Sequence, residues 1–108
     1  PLFHVHDLIR TDALAAEVAN EMGDAPAVIV GVNGAVTAGE SAQQALALAW
    51  FLEEAARVEL AVMSAGRAQE APRLSEAVAE QRAVWDHGLT AGRLWDYLCD
   101  GDPESQSS

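Results

Sequence analysis

The sequence predicts an α/β fold in which helices cover a β-sheet. Three observations carry that reading: a short apolar run at the start, two β-rich runs split by Asn33-Gly34, and a long Ala/Leu/Glu/Gln segment without Pro or Gly from Ala42 to Ala65. Strand, helix, hairpin and long helix in that order belong to a layered α/β arrangement rather than to a bundle or an all-β sandwich.

Leu2 to His6 reads as a strand from its apolar and aromatic content. Asp12 to Met22 reads as a helix. Thr11 is a suitable N-cap, Asp12 sits at the positive end of the helix dipole, and Gly23 closes the C-terminus. Pro26 leads into Ala27 to Ala38, a hairpin turning at Asn33-Gly34, the dipeptide that most readily takes positive φ in a two-residue turn. After Gly39, Glu40 and Ser41 the long helix follows, ending before Gly66. Its apolar residues Ala45, Leu48, Ala49, Leu52, Ala55, Ala56, Leu60 and Met63 recur at spacings of three and four, predicting a buried stripe, with Glu53, Glu54 and Arg57 beside it. Arg67 to Arg73 is a polar linker around Pro72. Ser75 caps a helix running to about Trp85 or His87, and a shorter helix spans Ala91 to Leu98 with Trp95 and Leu98 on one face. Residues 101–108, with Asp102, Pro103, Glu104 and small polar residues, read as a disordered acidic and polar tail.

The 108 residues suffice for one small domain, and half of them are hydrophobic, which predicts a packed core. A net charge of −11 argues against nucleic acid or anionic membranes as partners, because both are met by basic patches. No apolar run reaches the length of a membrane span, and no signal-peptide pattern opens the chain. Cys99 stands alone, which suits a reducing cytoplasm. Pro1 in place of Met, followed at once by an apolar run, predicts a piece of a longer protein.

The stretch VIVGVNGAVTAGESAQQALALAWFLEEAARVELA resembles the C-terminal half of the class II aldolase/adducin domain. The matching residues are Gly34, Gly39, Ser41, Ala45, Leu52, Glu53, Ala55 and Ala56. The resemblance implies a class II aldolase-like α/β/α sandwich to which residues 1–100 contribute the C-terminal strand, hairpin and helices. The first half, or a partner chain, would supply the rest. It also implies a homo-tetramer, a small carbonyl or carboxylate substrate, and a divalent metal, zinc or manganese, that stabilises the enolate left by carbon–carbon cleavage in an aldolase or decarboxylase. In the family the His of a His-Gly turn binds that metal; here the position is Asn33.

Asn33 therefore has two readings. As part of Asn-Gly it makes the turn and nothing more. As a degenerate ligand it would offer a neutral carboxamide oxygen, a poor replacement for imidazole on zinc. His4 and His6, one residue apart, would project from one face of a strand as a two-ligand clamp, or would be two polar residues at a strand end. The family's own His-x-His lies much farther upstream of its turn, so these histidines do not match it. His87, before Gly88, reads as a helix-end residue. Tyr97 is the only tyrosine and thus the local candidate for the proton donor that some family aldolases place near a neighbouring subunit's metal; packing is its other reading, as for Trp85 and Trp95. Two functions follow: a metal-dependent lyase, or a metal-free, adducin-like structural or interaction module.

Overall fold

The structure is a computed structural model that describes residues 1–82 and 89–106. The chain divides into two compact units, Pro1–Ala49 and Trp50–Ser108. The elements are β1 (Leu2–Phe3), α1 (Asp12–Met22), β2 (Ala27–Val30), β3 (Gly34–Thr37), α2 (Ala42–Ser64), α3 (Glu76–Arg82) and α4 (Leu89–Asp100). No helix among the described residues is long and apolar enough to cross a membrane. The mixed α/β class expected from the sequence is the class observed.

In the first unit the sheet has the order β1-β2-β3, with β1 parallel and β3 antiparallel to the central strand. The parallel pair needs a crossover, and α1 supplies it. Its bounds match the expectation because both caps form: the Thr11 side chain accepts the Leu14 N–H at 3.2 Å, and Gly23, at φ 55, donates its N–H to the Ala19 carbonyl at 3.0 Å. Alternation along β2 turns Val28 and Val30 inward, where they meet Val18 of α1; Phe3, Val5, Met22 and Val36 pack around this cluster. The same alternation sends Ile29 to the opposite face. There it pairs with Leu2 on one side and Ala35 on the other, and Leu2 and Ile29 remain 47% and 46% exposed.

Two expectations about this unit need correction. The first strand is two residues long, not five. After Phe3 the chain turns back, with the Val5 N–H donating to the Phe3 carbonyl at 3.1 Å, so His4 and His6 are exposed loop residues and the strand clamp does not exist. The hairpin turn is also different. Val30 pairs with Gly34, so the loop is the three residues Gly31, Val32 and Asn33, and Gly34 opens β3. Positive φ is taken by the two glycines that flank Val32 and Asn33, Gly31 (φ 40) and Gly34 (φ 130).

The helix α2 starts where expected because Ser41 and Gln44 form a capping pair. The Ser41 hydroxyl accepts the Gln44 N–H at 3.1 Å, and the Gln44 side chain accepts the Glu40 N–H at 2.6 Å. Its expected stripe is only partly covered. Ala47 is buried and Ala45, Leu48 and Leu52 are half-buried, but Ala49, Ala55, Ala56, Leu60 and Met63 are exposed. Periodicity specifies which side of a helix is apolar; covering it takes a neighbour, and these five residues stay exposed.

In the second unit Gly66, at φ 73, closes α2. Arg73 pairs with Glu59 at 2.7 Å, and Ser75 caps α3, accepting the Val78 N–H at 3.4 Å. Trp85 and His87 lie outside the described residues. α4 begins two residues before the expected Ala91. Along it Ala91 is buried while Leu94, Trp95 and Leu98 are half-buried, the face anticipated for Trp95 and Leu98. Beyond it Gly101 to Gln106 form successive turns, with backbone bonds from Asp102 to Cys99 and from Ser105 to Asp102, each at 3.2 Å.

Candidate functional site

The loop Gly31–Asn33 is built by contacts with the segment that follows β1. The Gly31 N–H donates to the Phe3 carbonyl at 2.8 Å. A Cβ on Gly31 would collide with the Val5 carbonyl oxygen and stand 3.3 Å and 3.4 Å from the Val5 carbonyl carbon and nitrogen. Only glycine permits both the positive φ and this approach.

Asn33 is exposed and does two things. Its N–H closes the turn on the Val30 carbonyl at 2.8 Å, and its side-chain Nδ2 donates to the Asp7 carbonyl at 3.0 Å, across 26 residues of sequence. Beside it lies a shallow pocket of about 130 Å³ lined by Leu8, Ile9, Val30, Asn33, Gly34, Ala35 and Val36. Asn33 is the one polar side chain in that wall. The pocket can accept an apolar edge and offer it one amide; it holds no titratable group.

The other expected residues lie on α4 and α2 in the second unit. Tyr97, on α4 in the second unit, is 70% exposed and lines a shallow depression of about 320 Å³ with Leu98, Asp100 and Gly101. Glu53 and Glu54 are exposed and paired with Arg57, at 2.9 Å and 3.9 Å. The hydrogen bond that Arg57 donates to Glu53, then the charges of Glu53 and Glu54, raise the Arg57 pKa above its usual value. That is the behaviour of a solvated helix face, worth little to stability. Among the described residues no three His, Cys, Asp or Glu side chains gather as a metal site.

Sequence reasoning missed the Asp7 carbonyl and the Leu8-Ile9 wall. A backbone acceptor has no sequence signature, and the available signal was the second glycine, Gly31, three residues before Gly34.

Residues 1–60 match the family described as Class II Aldolase and Adducin N-terminal domain. A 3,4-dihydroxyphthalate decarboxylase from Rhodococcus jostii (strain RHA1) is 41% identical over 66 residues, which cover 61% of this chain and 27% of that protein. No solved structure matches the chain. The aligned part thus spans about a quarter of the relative's length, and the family match takes in β1, α1, the Gly31–Asn33 turn and most of α2. With more than half of its residues inside that match, the chain belongs to the class II aldolase and adducin family.

Proposed function

We propose that the protein carrying this chain is a lyase of decarboxylase type, acting on a small carboxylate-bearing substrate of the dihydroxylated aromatic class. The observation that carries this reading is the 41% identity over 66 residues to a 3,4-dihydroxyphthalate decarboxylase. The shallow apolar wall of Leu8, Ile9 and Val36 with one amide beside it agrees in kind with a flat ring bearing polar substituents. On this reading the present residues hold the turn and shape one wall. Tyr97 is this chain's candidate proton donor, an upstream half or a partner chain completes the domain, and the assembly is a homo-tetramer.

The family implies a divalent cation, and the residues here do not fit one by themselves. Asn33 brings a neutral oxygen, its nitrogen is committed to the Asp7 carbonyl, and no three ionisable ligands converge among the described residues. No catalytic step is therefore derived through a metal. The same observation favours a second reading, an adducin-like module without metal or turnover.

One preparation of the protein separates the two. Stoichiometric bound metal together with consumption of 3,4-dihydroxyphthalate supports the lyase; a metal-free protein that leaves the compound intact supports the module.

A further inference from the structure

Asn33 has a second function that the turn does not require. Backbone features build the loop: Gly31 and Gly34 take positive φ, and the Asn33 N–H reaches the Val30 carbonyl at 2.8 Å. The side chain is spent elsewhere, on the Asp7 carbonyl at 3.0 Å. Its orientation is fixed by chemistry, because a carbonyl only accepts and the flipped amide would set two acceptors against each other. The segment it reaches is already tied at its other end, where the Phe3 carbonyl receives the Gly31 N–H at 2.8 Å and the Val5 backbone lies directly over Gly31. Leu8 and Ile9, the next residues after Asp7, line the shallow pocket together with Asn33, Ala35 and Val36.

We propose that Asn33 is a positioning residue: its carboxamide N–H clasps the Asp7 carbonyl, fixes the Phe3–Asp7 segment on the hairpin loop, and thereby sets where Leu8 and Ile9 stand beside the pocket. The inference does not depend on whether the protein is a lyase. It requires a hydrogen-bond donor one atom beyond Cγ at position 33. Turn propensity is a separate requirement, since Asp serves turns nearly as well as Asn but its carboxylate only accepts.

That difference supplies the experiment, nuclear magnetic resonance hydrogen exchange on the native protein and on Asn33→Asp and Asn33→Ala. The reporter is the Gly31 amide, bonded to the clasped segment. The reference is the Gly23 amide, bonded to Ala19 at the end of α1. A hydrogen bond contributes a net stabilisation of about 1 kcal/mol, so both substitutions should speed Gly31 exchange about fivefold while Gly23 keeps its native rate. One Asn33 side-chain amide proton should also exchange slowly in the native protein. Native Gly31 exchange in Asn33→Asp, whatever Asn33→Ala does, would reduce Asn33 to a turn former and overturn the proposal. Equal acceleration at Gly23 would overturn it too, because the effect would then be global.

Discussion

Replacing Gly31 with alanine tests the loop geometry at its tightest point. An L-residue at φ 40 loses roughly 1–2 kcal/mol to the clash between Cβ and its own backbone. The new methyl would also meet the Val5 carbonyl, and since that neighbour is backbone, the segment after β1 must shift, at a cost of about 1–3 kcal/mol. Against this, alanine narrows the unfolded ensemble, which returns about 0.4–1 kcal/mol. The net expectation is a loss of about 1–5 kcal/mol, centred near 3. Gly66→Ala is the internal comparison. Gly66 also has positive φ, 73°, but nothing lies within 4 Å of its would-be Cβ, so it should lose only about 1 kcal/mol. Urea unfolding of the protein carrying this chain, followed by circular dichroism, reads both. With a slope near 2 kcal/mol/M the midpoint should fall by about 1–2 M for Gly31→Ala and by about 0.5 M for Gly66→Ala. Equal shifts for the two variants would refute the close approach of Val5 to the loop.

Three further outcomes are expected. Asn33→His should raise affinity for zinc or manganese in calorimetric titration, because imidazole binds these ions far better than an amide; its Nδ1–H can take over the bond to the Asp7 carbonyl and leave Nε2 free. Equal, negligible binding by both forms would confine position 33 to the roles of turn and clasp. Light scattering of the protein at micromolar concentration should find a homo-oligomer, since Trp50, Val58, Leu60 and Met63 are 42% to 64% exposed along one helix; a compact monomer would count against this. Residues 1–108 made alone should melt without a sharp transition, because a three-stranded sheet with Leu2 and Ile29 open on one face buries little: Val18, Val28 and Val30 are its only fully buried cluster among the described residues. A cooperative melt from a soluble monomer would show that this small core suffices.

Local signals were readable wherever a residue acts on its own neighbours. Thr11 and Gly23 bound α1 as their capping chemistry requires, and Ser41 with Gln44 starts α2. What could not be read depends on distant chain. Propensity extends β1 to His6, but after Phe3 the chain turns back, the Val5 N–H donating to the Phe3 carbonyl, and the strand stops there. Asn-Gly marks a turn correctly, yet the loop's length is set by pairing register, and Val30 opposite Gly34 makes it the three residues Gly31 to Asn33. The stripe on α2 states a capacity for burial that the described residues only partly meet. At the candidate site the position of Asn33 was legible and its partner was not, because the Asp7 carbonyl is backbone, 26 residues away.

The central claim is that this chain belongs to a working decarboxylase-type lyase, and release of labelled carbon dioxide tests it most directly. The protein would be incubated with 3,4-dihydroxyphthalate carrying carbon-13 in its carboxyl groups, with and without added zinc or manganese, and the gas analysed by mass spectrometry. The account predicts enzyme-dependent labelled carbon dioxide and a product one carboxyl group poorer. Folded, oligomeric protein that releases none from this compound or from related dihydroxylated aromatic acids would contradict it and leave the non-catalytic module.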